Sequence, residues 1–211
     1  MIDLNFCVFA SGSGSNFIEL HKFSKKQSNI DLKLLISNNP NCGAVEYASL
    51  NEIKFKILDS NKFLNYNEYV EELLKCLIQN NIDFIALAGY LKKIPNQVIA
   101  KFNRRILNIH PSLLPKFGGK GFYGMNVHKA VIDSKDKVSG VTIHFVDKNY
   151  DEGPIIFQEE VKVFEMDTPQ KLSLRILNIE HRVYKKVIKI LVENNFNIIN
   201  KKIKIERDEI D

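Results

Sequence analysis

Three short stretches hold side chains of the types and spacing that chemistry needs. Asn108-Ile109-His110-Pro111-Ser112-Leu113-Leu114-Pro115 continues an apolar run, Arg105 to Asn108, with the character of a short strand. Alternation along an extended chain puts Asn108 and His110 on one side, so a carboxamide and an imidazole can converge on one small group. Pro111 and Pro115 restrict the backbone around them. A carboxylate is available in the second stretch, His144 to Pro154, where Asp147, Asp151 and Glu152 occupy a turn between two strands. Any of the three can approach an imidazole, orient it and raise its pKa, the second half of an acid–base site. Spacing does not choose among them, and His144, inside a strand, reads as structural. The third stretch is Ser11-Gly12-Ser13-Gly14-Ser15-Asn16. Glycines let main-chain N–H groups approach a ligand, and the helix that follows adds partial positive charge, so this turn suits a phosphate. It lacks the lysine of a P-loop, and Phe17 stands where a dinucleotide fingerprint needs glycine. A plain tight turn accounts for it equally well.

The elements that must position these residues alternate. Asn5 to Ala10 reads as a strand, the Gly-rich turn follows, and Phe17, Leu20, His21 and Phe23 recur at helical spacing. Leu32 to Ser37 is a second strand, Gly43 to Leu50 a short helix and Lys54 to Leu58 a third strand. Asn67 to Asn80 is an amphipathic helix, Asp83 to Ala88 the next strand, and Pro95 to Phe102 precedes the strand that carries Asn108. Such alternation with near-continuously apolar strands predicts a parallel sheet covered on both faces. Pro111 to Gly124 is too long for a tight connection, and long loops inside compact domains are usually functional. Val127 to Asp133 reads as a helix, and Val138 to Val146 and Pro154 to Val163 as strands. Thr168 caps a long amphipathic helix with Pro169 at its first position, and Ile198 to Ile205 alternates as an edge strand.

Composition narrows the class. A chain of 211 residues with 45% hydrophobic and 26% charged residues builds one ordinary globular domain. No apolar run is long enough to span a bilayer, and the early run Phe6 to Ala10 is shorter than a signal-peptide core. Cys7, Cys42 and Cys76 have neither metal-type spacing nor an even count, which points to the reducing cytoplasm. The net charge of +5 comes from lysines spread among acids, a solvated surface rather than a nucleic-acid stripe.

The three stretches, in this order and at these separations, resemble the phosphoribosylglycinamide formyltransferases, folate-dependent enzymes of purine synthesis. The resemblance runs from about residue 5 to the long helix ending near residue 194. Asn108 to Pro115 is specific for the wider formyltransferase superfamily rather than for one member. TRNA-directed and hydrolytic relatives carry a further domain, for which 211 residues leave no room. The implied fold is α/β: a single Rossmann-like formyltransferase domain over residues 1–211, with a mostly parallel central sheet, antiparallel strands toward the C-terminus and helices on both faces. Residues 1–103 would form its ribonucleotide phosphate-binding half and 104–211 its catalytic and folate-facing half.

The resemblance implies transfer of the formyl group of 10-formyltetrahydrofolate to the glycine amine of glycinamide ribonucleotide, through a tetrahedral intermediate and without a metal. It assigns Asn108 and a protonated His110 to the oxyanion, and Asp151 to hold His110 charged and to help move the amine proton. It puts the substrate phosphate on Gly14, Ser15 and Asn16, in the turn begun by Gly12 and Ser13, with Glu180 near the ribose or amine. The pterin is expected against Tyr90, Leu91, Lys92, Lys93 and Ile94 and beside Asn108, with Lys92 or Lys93 meeting the folate glutamate. Two departures stand out: the long loop Lys116 to Gly124, to which no contact transfers, and Leu177 where some relatives carry a polar substrate contact. The expected partners are the two small molecules, with no nucleic acid and no membrane, bound by a monomer or homodimer in the cytoplasm. The alternatives are a formyltetrahydrofolate hydrolase, a transferase acting on another amine, and a non-catalytic phosphate-binding module.

Overall fold

In a computed structural model the protein is described over residues 4–196. Its chain divides into two compact units, Met1–Leu107 and Asn108–Asp211. The first contains β1 (Leu4–Phe9), α1 (Ser15–Ser24), β2 (Ile30–Ser37), α2 (Gly43–Leu50), β3 (Phe55–Ile57), α3 (Tyr66–Gln79), β4 (Phe84–Leu87) and α4 (Asn96–Lys101). β5 (Ile106–His110) crosses the boundary, and the second unit continues with α5 (Met125–Asp133), β6 (Val138–Phe145), β7 (Ile155–Lys162) and α6 (Pro169–Glu193). The sheet is seven-stranded in the order β3-β2-β1-β4-β5-β6-β7.

In the first unit β1 pairs in parallel with β2 on one side and β4 on the other, and β2 pairs in parallel with β3. A strand so placed has no solvent face, which explains its unbroken apolar sequence: Phe6, Cys7, Val8 and Phe9 are fully buried. The Phe6 ring stacks on that of its register partner Phe84 at 5.0 Å. α3 begins where Asn65 Oδ1 accepts from the Glu68 N–H, and it buries Tyr69, Val70, Leu73, Cys76 and Leu77 at helical spacing.

In the second unit β6 and β7 form an antiparallel pair whose register slips between Ile143 and His144, leaving Ile156 as the extra residue on β7. Such a bulge bends the strand and re-aims side chains beside it. α6 starts as the sequence predicts, with Thr168 Oγ1 accepting from the Lys171 N–H at 3.2 Å and Pro169 following. Arg175 grips Asp167 with two hydrogen bonds of 2.8 and 2.7 Å, fixing the chain that enters the helix.

The strands and helices assigned from the sequence agree in type, with most boundaries moved by a residue or two, while α4 (Asn96–Lys101) had no assignment. The strand expected over Lys54 to Leu58 shortens to Phe55–Ile57, and a 3-10 turn at Ser60–Lys62, held by Asp59 at its N-cap, was not foreseen. The edge strand expected over Ile198 to Ile205 lies outside the described residues.

Candidate active site

The chemistry-bearing side chains of the second unit meet around one carboxylate. Asn108 and His110 leave β5 on the same side, as strand alternation requires. Asp151 arrives from the turn between β6 and β7. One oxygen, Oδ1, accepts from Asn108 Nδ2 at 3.3 Å and lies 3.6 Å from His144 Nε2. The other, Oδ2, accepts from the Gly119 N–H at 2.9 Å and lies 3.6 Å from His110 Nδ1. The Asp147 and Glu152 carboxylates instead hold the turn together through Asn149, at 2.8 and 2.7 Å. Geometry thus selects Asp151 from three chemically equivalent acids.

Local backbone explains how Asp151 reaches inward. It sits at φ 57, in the left-handed region that Asp tolerates better than most residues. Two residues on, a Cβ at Gly153 would lie 1.8 Å from the Phe145 carbonyl oxygen, so only glycine lets the turn close against β6.

The proton positions follow from the partners. The Phe117 carbonyl can only accept, so His110 Nε2, 2.8 Å away, carries a hydrogen and leaves Nδ1 toward Asp151. By the same logic His144 Nδ1 donates to the Phe145 carbonyl at 2.9 Å, and in the neutral ring Nε2 accepts from Asn108 Nδ2 at 3.0 Å. Both Asn108 amide hydrogens are therefore committed, one to His144 and one to Asp151.

Burial and charge set the titration. Burial holds the His110 imidazole below its ordinary value; the Asp151 charge and the Phe117 carbonyl pull it back up without cancelling that, and His144 pushes it further down. Desolvation thus outweighs the attraction of a carboxylate 3.6 Å away. For Asp151 burial opposes ionisation, but a proton on His144, which lets it donate to the carboxylate, a proton on His110 and the Gly119 N–H outweigh it and lower its pKa.

Around this cluster the Pro111 to Pro115 segment is braced by Thr142. Its hydroxyl donates to the Ser112 carbonyl at 2.6 Å and accepts from the Leu114 N–H and from Gln158 Nε2, both at 3.0 Å. Ser112 Oγ in turn donates to the Lys116 carbonyl at 2.7 Å. The loop to which no contact was assigned therefore touches the site twice, through the Phe117 carbonyl and the Gly119 N–H. His144, taken from the sequence as structural, is in direct contact with Asn108 and within 3.6 Å of Asp151. Its strand position gave no sign of this, because the bulge and the turn geometry decide where it points.

The remaining predicted residues sit as follows. In the first unit, Gly12 to Asn16 form the turn into α1, with Gly14 at φ 80 as N-cap and no side chain capping the helix. The first α1 hydrogen bond is the Ile18 N–H to Gly14, at 2.8 Å. Tyr90 packs edge-on against Phe9, Leu91 is half exposed, Lys92 and Lys93 are exposed and Ile94 is buried. In the second unit Glu180 is buried on α6 and Leu177 half-buried.

Comparison with known proteins agrees with this architecture. A family model described as formyl transferase matches residues 4–188. The chain is 49% identical over 191 residues to the chloroplastic phosphoribosylglycinamide formyltransferase of Vigna unguiculata, an alignment that takes in 88% of this chain and 60% of that protein. The chain thus spans about three fifths of that plant relative's length. Against the phosphoribosylglycinamide formyltransferase of Bacillus subtilis it is 35% identical over 192 residues, covering 90% of this chain and 95% of the relative. The crystal structure of the Bacillus halodurans protein of that name superposes with a TM-score of 0.84 at 35% identity, over 93% of this chain and 100% of that one. Matched along most of its length by the family model and by a bacterial relative of nearly its own size, the chain belongs to the formyl transferase family, among relatives named phosphoribosylglycinamide formyltransferase.

Proposed function

We propose that this chain transfers the formyl group of 10-formyltetrahydrofolate to the glycine amine of glycinamide ribonucleotide, yielding formylglycinamide ribonucleotide and tetrahydrofolate in purine synthesis. The observation that carries this is the convergence of Asn108, His110 and Asp151 in a chain of this family. In the proposed reaction the amine attacks the formyl carbon and gives a tetrahedral species with an oxyanion and an ammonium. The ammonium proton leaves and the folate nitrogen takes one as its bond to carbon breaks. Donors aimed at the developing oxyanion lower that barrier most.

The resting geometry suggests how the donors act. His110 Nε2–H and the Asn108 amide are held ready by internal acceptors, the Phe117 carbonyl and the His144–Asp151 pair, which the formyl oxygen would replace. A neutral His110 can donate from Nε2 and accept the amine proton at Nδ1, directly or through water. Asp151 then stabilises the imidazolium as it forms, the role of the acid in a Ser-His-Asp triad. The Gly12 to Asn16 turn would take the substrate phosphate on uncapped N–H groups of α1, whose first turn carries no acid to repel it. Glu180 is assigned to the ribose or amine, and Tyr90 to Ile94 to the pterin. The first unit would serve as the phosphate-binding half and the second as the catalytic half, in a monomer or homodimer. The three buried free thiols suit a reducing compartment, and the cytoplasm is proposed. Among the described residues no helix is long and apolar enough to cross a membrane.

The deciding experiment incubates the protein with 10-formyltetrahydrofolate, with and without glycinamide ribonucleotide, and measures tetrahydrofolate and formate. Tetrahydrofolate released only with the ribonucleotide, and without formate, is the expected result. Formate released in its absence would assign a hydrolase, and no turnover in either arm would assign a binding module.

A further inference from the structure

Ser11, just before the phosphate-type turn, engages each of its polar groups, and two of them go to one other segment of the first unit. Its N–H donates to the Gly89 carbonyl at 3.2 Å, and its Oγ accepts from the Leu91 N–H at 3.0 Å. The hydroxyl hydrogen goes to Asn38 Oδ1 at 2.5 Å, while the Ser11 carbonyl accepts from Asn39 Nδ2 at 3.3 Å. The side chain is buried, at 5% exposure. One residue thus ties the start of the Gly12 to Asn16 turn to the start of the Leu91 to Ile94 segment, and the loop after β2 locks the tie.

We infer that Ser11 is a positioning residue that couples the two substrate-binding segments, so that ordering either one by its ligand favours the ordered form of the other. The inference rests on the proposed assignment of the phosphate to Gly12–Asn16 and of the pterin to Tyr90–Ile94. Its physical basis is that the buried Ser11 hydroxyl loses a hydrogen bond when its donor, the Leu91 N–H, moves away. A shift of Leu91 toward or away from a pterin therefore displaces Ser11 or breaks that hydrogen bond. Ser11 in turn cannot move without carrying Gly12, and its hydroxyl hydrogen is fixed on Asn38 rather than free to follow. The same hydrogen bond makes Leu91 N–H unavailable to the folate, which leaves the pterin to the main-chain groups of Lys92 to Ile94.

Coupling of this kind is reciprocal: each ligand must tighten the other by the same factor. The test titrates the full-length protein with glycinamide ribonucleotide and with tetrahydrofolate, each alone and with the other saturating. In the unmodified protein each should tighten the other by about tenfold, within the usual range of such couplings. In Ser11→Ala the factor should fall to about one in both directions, and Ser11→Thr, which keeps the hydroxyl, should restore it. Because the factor is a ratio of affinities measured on one variant, a partial loss of folded protein does not imitate the effect. Should Ser11→Ala not fold, Asn38→Ala removes the hydroxyl's acceptor from a half-exposed position and should lower the factor at least threefold. Binding of both ligands with no mutual tightening, or with tightening unchanged in the variants, overturns the role of Ser11 and leaves the functional assignment standing. Failure of the unmodified protein to bind either ligand overturns both.

Discussion

His110 and Asp151 face each other across 3.6 Å, while the far nitrogen of the same imidazole holds the Phe117 carbonyl at 2.8 Å. The first separation is longer than a hydrogen bond and the second is a good one. A neutral ring with its hydrogen on Nε2 fits that pattern, and a proton arriving on Nδ1 would draw the carboxylate in. Asp151→Asn keeps an acceptor for the Gly119 N–H but removes the charge that stabilises the imidazolium. Its kcat should drop by about a hundred- to ten-thousandfold, the usual worth of a positioned acid–base group, with an unchanged circular-dichroism spectrum. His110→Ala should lose at least as much. Turnover above a tenth of normal in either folded variant would falsify these assignments.

His144 sets the direction of the Asn108 amide, since the Phe145 carbonyl fixes its Nδ1–H and leaves Nε2 to accept. Without it the carboxamide keeps only Asp151 and can rotate its oxygen toward the reacting centre. His144→Ala should therefore lower kcat by roughly ten- to a hundredfold, below the full loss of an oxyanion donor. KM for both substrates should stay within about threefold, because the amide acts in the transition state rather than in ground-state binding. A kcat loss that disappears once the rate is normalised to the folded fraction would make His144 a folding residue only.

How far the sequence reached can be traced in these two histidines. Asn108 and His110 were legible because strand alternation and the flanking prolines dictate their common side. Buried strands such as Phe6 to Phe9 were legible because a central parallel strand has no polar face. Asp151 could not be told from Asp147 and Glu152, since a left-handed residue and a glycine pressed on Phe145 decide which acid turns inward. The contacts of His144 were not legible, because they depend on a register slip that no spacing shows. The downward push on the His110 pKa was not legible for another reason: a carboxylate partner is visible in a sequence, whereas the depth of burial that opposes it is not.

Acid should unfold the protein in part through His128. This residue of α5 is 4% exposed, its Nδ1 has no hydrogen-bond partner among the described residues, and burial together with nearby His110 brings its pKa down to about 4. The unfolded chain, with a value near 6.5, binds the proton first. Stability is therefore full above pH 6.5 and falls as pH drops toward 4, by about 3 kcal/mol for this group alone. His110 works in the same direction, and Asp151, with its lowered pKa, adds a loss only below the ordinary carboxylate range. Urea unfolding of His128→Gln between pH 7 and 4 should show a shallower decline than the unmodified protein. Parallel curves would remove His128 as the cause.

The turn into α1 should discriminate by phosphate. A Cβ on Gly14 would lie 2.7 Å from the Ala44 Cα, a main-chain neighbour that cannot swing aside, and Gly14 already adopts φ 80. Gly14→Ala must therefore shift the turn and the main-chain N–H groups that open α1 behind it, where no side chain caps the helix. If those groups hold the phosphate, the substitution should raise KM for glycinamide ribonucleotide at least tenfold and more than it raises KM for the folate. The unmodified protein should bind the dephosphorylated riboside roughly a hundredfold more weakly, about 2.7 kcal/mol, the order expected for two charge-assisted hydrogen bonds. Equal affinity for the two compounds by calorimetry would assign the turn a purely structural role. In that case Gly14→Ala should lower thermal stability while leaving the KM ratio of the two substrates where it was.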